Sequence, residues 1–350
     1  MDYKKLADLV YPDLEHDCEY YENLYGKRDL PQGAEVLRTA PSPTGFIHLG
    51  NLYGAYAAER IAHQSDGVFY LRIEDTDLKR RVEGAVETII SVFRYFEINF
   101  DEGAQQGGEY GPYYQRQRAE IYHTFAKRLI AQGDAYPCFC SEAELNEIRE
   151  KQTAQKLGTG YYGEWAKCRN LSLEEVKQHI DNGDPFVVRL RATGDPAIKH
   201  SFHDEIKGDI VVTENNQDIV LLKTDGIPTY HFAHAIDDHL MRTTIVSRGE
   251  EWLGSLPIHL ELFDKLGFEL PKYAHTTQLM KIDNGVKRKL SKRKDPELSL
   301  DFYRQLGYHP YAVKIYLLTI LNWNFEQWYL KNPDTPIDQF KFSLDKIGQS

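Results

Sequence analysis

An alternation between residues 36 and 96 constrains this chain more than any other feature. Val36-Leu37-Arg38-Thr39-Ala40 reads as a strand stopped by Pro41-Ser42-Pro43, and Gly45 and Gly50 punctuate the turn that follows. Residues 51–64 put Leu52, Ala55, Ala58, Ile61 and Ala62 on one face of a helix. Residues 68–73 are a dense apolar run, suited to a buried parallel strand. Asp77 is placed to cap a helix over 78–96. Strand, glycine turn, helix, strand and helix in succession predict an α/β fold built on a doubly wound parallel sheet.

The remainder is organised around that unit. Residues 1–35 read as a helical extension ending at the breakers Pro31 and Gly33. Residues 36–115 hold the first half of the sheet. Residues 116–222 read as an inserted α+β module, with a helix over 116–132, a strand over 135–140 and short strands over 185–222. Ser141 with Glu144 and Ser172 with Glu175 are capping boxes that open helices. The α/β alternation resumes over 223–275, and 276–350 is expected to be a basic loop followed by helices.

Bulk properties exclude little. A length of 350 residues suffices for two or three cores. No run of eighteen apolar residues suggests a membrane span, and the acidic N-terminus lacks an apolar signal core, so the expected location is cytoplasmic. The net charge of −11 leaves nucleic-acid binding to local basic surface. Cys18, Cys138, Cys140 and Cys168 do not form a disulfide framework, but the Cys-x-Cys pair raises the question of a metal.

Three segments carry chemistry. The first, from Arg38 to Asn51, runs from a strand end into a glycine-bearing helix start, where exposed N–H groups favour a triphosphate. There Gly50 permits close approach of a nucleoside, and His48 is a donor to phosphate oxygens. The second is Arg72-Ile73-Glu74-Asp75-Thr76-Asp77, at the carboxyl end of the next strand, where ligands of open α/β sheets sit. Glu74 is suited to an ammonium group; Asp75 and Asp77 are solvated residues or caps. The third runs from Val286 to Lys294, with six of the eight residues from Lys287 onward basic. It reads as a charge-neutralising loop at a phosphoryl group, or as a solvated basic loop.

Together, in this order, the segments resemble class I aminoacyl-tRNA synthetases, with His48-Leu49-Gly50-Asn51 for the HIGH signature and Lys289-Leu290-Ser291-Lys292-Arg293 for KMSKS. Ala40 to Gly45, Arg72 to Asp77, Pro228 to His231 and Arg248 to Trp252 narrow the resemblance to bacterial glutamyl-tRNA synthetases, from about residue 36 to past 320. The resemblance implies a Rossmann-like catalytic domain, with 116–222 as an acceptor-stem-binding insertion and 276–350 as a KMSKS-like loop and helical stem-contact region. It implies ATP-dependent activation of L-glutamate, with Mg2+, and transfer to tRNA(Glu), with tRNA(Gln) a further substrate of some members, by a monomer. It assigns Arg38, Ser42, Glu74, Tyr230, His234 and Arg248 to glutamate. To ATP it assigns His48, Gly50, Asn51, Glu251, Leu279, Lys289 and Lys292, of which His48, Lys289 and Lys292 act in catalysis. Asn51 stands where the signature has a second histidine, and offers only an amide.

Relatives carry zinc on a Cys-x-Cys pair and a later Cys-x-His. Here Cys138, Cys140 and Cys168 are present, the histidine position is Asn170, and Tyr161 or Tyr162 is the candidate fourth ligand. The alternatives are a glutamyl-queuosine tRNA(Asp) synthetase, which is short, and a non-catalytic tRNA- or nucleotide-binding module. The helical pattern continuing through 300–330 implies instead a fragment of a longer synthetase lacking its anticodon-reading domain.

Overall fold

The protein is described by a computed structural model covering residues 1–44, 47–80, 82–291 and 294–347. The lead-in is α1 (Tyr3–Val10) and α2 (Cys18–Leu24), started by the Asp2 and Asp17 carboxylates, which accept from Lys5 N and Tyr20 N. Such a cap contributes about 1 kcal/mol. Next come β1 (Val36–Thr39), α3 (Leu49–His63), β2 (Val68–Leu71), α4 (Ala85–Tyr95) and β3 (Glu102–Gly103). β1 pairs in parallel with β2, and β2 with β3. The helix expected from residue 78 starts instead at Ala85. Asp77 accepts from Arg80 N at 3.2 Å and closes only a single turn over Leu78–Arg80. Gly84, at φ 72°, then breaks any continuous helix ahead of α4.

Helix α5 (Ala119–Gln132) leads to β4 (Ala135–Cys138), α6 (Glu142–Ala154), α7 (Leu173–Asp181), β5 (Val187–Leu190), β6 (Lys199–Asp204), β7 (Gly208–Thr213) and β8 (Val220–Leu222). Strands β4, β5 and β8 form an antiparallel sheet, and β6 and β7 form a hairpin. Both capping boxes are closed, Ser141 with Glu144 and Ser172 with Glu175. The chain continues as α8 (Tyr230–Leu240), β9 (Ile245–Gly249), α9 (Leu256–Leu266) and β10 (Lys272–Thr276), with β9 and β10 parallel.

Strand β9 approaches β1 at its start. Val36 O accepts from Thr244 N at 2.9 Å, and Thr244 Oγ1 accepts from Val36 N at 2.8 Å. The parallel strands therefore run β3-β2-β1, then β9-β10, and the winding reverses between β1 and β9. A crevice opens at the carboxyl ends of the strands at such a reversal.

The segment expected to be a basic loop begins as a hairpin, β11 (Met280–Asp283) with β12 (Val286–Lys289). Its turn is Asn284-Gly285, both at positive φ, the pair a two-residue hairpin turn selects. Helices α10 (Leu300–Gln305), α11 (Pro310–Leu321) and α12 (Trp323–Lys331) follow. One apolar core joins Leu37, Leu52, Phe69 and Phe93 to Leu317 and Phe325 of the last helices. Another joins Leu6 of α1 and Phe125 of α5 to Leu222, Phe232 and Phe263. The two cores lie on opposite faces of the sheet, Val36 and Tyr70 in one and their strand neighbours Leu37 and Phe69 in the other. Among the described residues, no helix is long and apolar enough to cross a membrane.

Candidate active site

A cavity of about 430 Å³ occupies the crevice, lined from β1, the start of α3, the tip after β2, β9, the turn after it, and β12. Arg38, Ser42, Glu74, Tyr230 and Arg248, expected at the amino acid, line it together with His48, Gly50, Asn51, Glu251, Leu279 and Lys289, expected at the nucleotide. Two expected residues are not among them. Lys292 lies outside the described residues, as do Gly45 and Phe46 of the first segment and Arg293 of the third. His234 does not line the cavity. It is fully buried behind Tyr230, with Nδ1 2.6 Å from Asp238 and Nε2 2.8 Å from the Tyr273 hydroxyl. Its place on the inner face of α8 turns it into the core.

At the end lined by Arg38, Glu74 and Arg248, charges are buried and paired. Arg38 is 5% exposed, and its Nε and Nη2 each donate to Asp238 at 3.0 Å. Its Nη1 donates to Ser247 O at 3.2 Å. Arg72, fully buried, donates to Asp238 at 2.8 Å and to Glu74 at 3.2 Å. Arg118 donates to Asp237 at 2.7 Å. Three arginines thus face Asp237, Asp238 and Glu74, a neutral set, as buried charge requires. Asp238 is held well below the usual carboxylate range by Arg38 and Arg72, against the effect of burial. Burial raises Glu74, with Arg72 and Arg38 opposing.

The Arg38 fork expected to be available to a substrate carboxylate is therefore engaged by Asp238. Arg248 is different. Its Nε donates to His275 Nε2 at 2.9 Å, and its Nη1 lies 3.0 Å from His259 Nδ1 and 3.3 Å from the Tyr230 hydroxyl. Its Cζ stands 4.8 Å from the centre of the Tyr273 ring. Tyr230 packs against Trp252, ring centres 4.2 Å apart, and Trp252 closes this end of the cavity.

At the other end, α3 begins with a reciprocal cap. Asn51 N donates to His48 Nδ1 at 3.3 Å, and His48 N donates to Asn51 Oδ1 at 3.1 Å. Accepting at Nδ1 puts the proton of a neutral His48 on Nε2, making that atom a donor. Asn51 therefore orients the histidine. A Cβ on Gly50 would meet the His48 ring at 3.2 Å, so glycine gives the ring its room. The segment before α10 locks onto this turn, with Leu300 N donating to Ile47 O at 3.2 Å.

The hairpin supplies the third wall. Lys289 and Leu290 line the cavity, and Leu290 N donates to Leu279 O at 3.4 Å. Arg288 is not aimed inward: it donates to Asp283 at 2.7 Å and to both oxygens of Asp295 at 2.7 and 2.9 Å. Asp295 also accepts from Ser291 N at 2.8 Å. Those partners, Arg288 first, hold the Asp295 carboxyl well below its usual range. Asp295 thus pins the base of the basic segment.

Elsewhere, the Sγ atoms of Cys138, Cys140 and Cys168 lie within 4.8 Å of one another. The Tyr161 hydroxyl is 3.4 Å from Cys138 Sγ and 3.3 Å from Cys140 Sγ. Tyr162 is turned away, donating to Gly158 O at 2.7 Å. Cys140 and Cys168 are 3.6 Å apart, close to the edge of about 3.8 Å that a tetrahedron with zinc–sulfur bonds of 2.3 Å implies.

A doubly wound sheet with a helix start and a charged cavity at its strand reversal places the chain among the α/β proteins whose ligands sit at the carboxyl ends of the strands. Residues 36–328 match the family described as tRNA synthetases class I (E and Q), catalytic domain, and the chain belongs to that family. It is 62% identical to a curated relative from Acetivibrio thermocellus named Glutamate--tRNA ligase, over 100% of this chain and 65% of that one. A relative of the same name from Clostridium beijerinckii is 54% identical over 100% of this chain and 64% of its own. The crystal structure of a glutamate tRNA ligase from Elizabethkingia meningosepticum, in complex with its amino acid, matches with a TM-score of 0.81 at 34% identity, over 90% of this chain and 66% of that one. The chain spans just under two thirds of the length of these curated relatives.

Proposed function

We propose that the protein activates L-glutamate with ATP and transfers it to the 3′-terminal adenosine of tRNA(Glu), as a glutamate–tRNA ligase. One observation carries this reading: Arg248, Glu74, His48 and Lys289 face a single cavity at the strand reversal. In it, Arg248 receives a carboxylate and Glu74 the ammonium group. A carboxylate is ionised at neutral pH, so its attack on the α-phosphorus needs no general base. His48 Nε2–H, the N-terminus of α3 and Lys289 stabilise the charge that develops as pyrophosphate leaves. A ribose hydroxyl of the tRNA then attacks the anhydride. Lys292 joins Lys289 in this role. Mg2+ enters with the nucleotide, and no residue is assigned to it. Residues 116–222 are proposed as the acceptor-binding insertion and 276–350 as the loop and stem-contact region. The working form is a cytoplasmic monomer. The names of the relatives favour this reading over a tRNA(Asp)-modifying or non-catalytic one.

The test is tRNA-dependent ATP–pyrophosphate exchange. Exchange is expected with glutamate and tRNA(Glu) and not with glutamine. No exchange with glutamate at any tRNA(Glu) concentration contradicts the reading.

For the cysteine cluster, three thiols and a phenol at tetrahedral spacing fit zinc. Cys138, Cys140, Cys168 and Tyr161 would hold it, and the ion would tie β4 to the segment before α7. Metal analysis is expected to find about one zinc per chain, as a four-ligand structural site implies, lost in Cys140→Ser. Metal-free wild-type protein with an unchanged melting profile contradicts it.

A further inference from the structure

Arg248 is held in a way that neither its motif nor its neighbours in sequence explain. Its Nε–H faces His275 Nε2 at 2.9 Å, so that nitrogen must be an acceptor. The His275 proton then sits on Nδ1, which is 2.6 Å from Asp204 Oδ2. Asp204, fully buried at the end of β6, uses its other oxygen to accept from Ile206 N at 3.0 Å, Lys207 N at 2.9 Å and His275 N at 3.3 Å. On the opposite side, Arg248 Nη1 faces His259 Nδ1 at 3.0 Å. His259 therefore carries its proton on Nε2 and donates to His231 Nδ1, 3.0 Å away. Burial holds His259 well below the ordinary histidine range and lowers His275 as well, so both rings are neutral.

The guanidinium is thus gripped at two corners by uncharged acceptors. Among the described residues no carboxylate pairs with it, unlike Arg38. Its Nη2 has only the Trp252 carbonyl, at 3.5 Å, among the described residues. A group fixed in this way offers donors and a full positive charge to a ligand carboxylate, and disfavours an amide nitrogen, which cannot accept.

We propose that His275, fixed by Asp204, and His259, fixed by His231, are positioning residues that set the tautomer-dependent grip on Arg248 and thereby the preference for a carboxylate-bearing side chain. This inference rests on glutamate being the amino-acid substrate. It makes the hairpin of β6 and β7 part of the amino-acid site, although Asp204 does not line the cavity.

Asp204→Asn is the discriminating change. Three backbone N–H donors keep the amide oxygen where Oδ1 is, so the amide nitrogen must face His275 Nδ1. The imidazole then takes its proton on Nε2, and two donors oppose each other at Arg248. The KM for glutamate should rise about tenfold or more, with kcat changed less, because a hydrogen bond to a charged group is lost. Discrimination against glutamine should fall with it. In a His275→Ala background Asp204→Asn should add little to KM, since Asp204 acts on Arg248 only through that ring. A purely structural role for Asp204 would add its own loss in that background as well.

A second readout needs no substrate. Nitrogen-15 spectra of histidine-labelled protein should show His275 protonated at Nδ1 in the wild type and at Nε2 in Asp204→Asn. A KM for Asp204→Asn within twofold of wild type, an equal further loss from Asp204→Asn on top of His275→Ala, or a wild-type His275 protonated at Nε2 overturns the proposal. If Asp204→Asn does not fold, the wild-type spectra decide: absence of the Nδ1 tautomer in the wild type refutes the grip, whereas wild-type protein that never binds glutamate but shows the expected tautomers refutes only the substrate reading.

Discussion

The two ends of the cavity handle charge in opposite ways. At the proposed amino-acid end, Arg38, Arg72, Asp237 and Asp238 are buried and paired, and Arg248 is clamped by neutral rings. At the hairpin end, Arg288 and Lys281 are partly exposed cations tied to the buried Asp295, and Lys289 is exposed. On the proposed reading, selecting a small ion demands charges that do not move, and the fold fixes them in its core. Neutralising charge that appears only during the proposed reaction is served by a hairpin whose lysines stay hydrated and adjustable. The first kind of site is costly to disturb; the second tolerates change.

Removing one buried partner should give the largest effect. Asp238→Ala leaves Arg38 and Arg72 without their shared carboxylate, and stability should fall by about 3–5 kcal/mol. Urea denaturation followed by circular dichroism measures this, and a loss under about 1 kcal/mol would erase the contrast between the ends. Next, Arg248→Ala should lower kcat/KM for glutamate about a hundredfold or more while the fold persists, and Arg248→Lys should not restore it, because a point charge cannot replace the fork. Steady-state exchange kinetics with both variants separate a binding role from a packing one.

Acidification should also discriminate between the ends. His231 and His234 are held down to about 4, chiefly by burial, against 6.5 unfolded. Between those values the unfolded chain binds protons the folded one does not, so stability falls as pH falls. The loss should approach about 1.4 kcal/mol per pH unit for each histidine, and be absent above pH 7. A flat stability profile from pH 7 to 5 would mean the rings are not held neutral. The smallest effects belong to the hairpin. Lys289→Ala should slow adenylate formation about tenfold yet shift stability by no more than about 0.5 kcal/mol. Pre-steady-state exchange and thermal melts on the same preparation check both halves.

What the sequence revealed follows the same division. The strand at 36, the helix carrying His48 and the tip at Glu74 were legible because period and turn residues are local signals. The burial of His234 was not, since helical spacing alone does not say which side of α8 meets the core. Nor was the engagement of Arg38, whose partner Asp238 lies 200 positions away. A cue existed: Asp237 and Asp238 are adjacent acids in a helix whose other residues are apolar, tyrosine or histidine, and buried carboxylates require cations. The hairpin at 280–289 also had its cue in Asn284-Gly285, masked by the density of lysine and arginine around it. The grip on Arg248 joins β9 to α9 and β10, and no spacing rule links those positions.

Convergence of both ends on one cavity is tested most directly by a non-hydrolysable analogue that links glutamate to adenosine in place of the mixed anhydride. In exchange kinetics it should compete with ATP and with glutamate alike, and bind more weakly to both Arg248→Ala and Lys289→Ala. An analogue that leaves ATP binding untouched, or that binds Lys289→Ala as tightly as wild type, would place the two ends at separate sites.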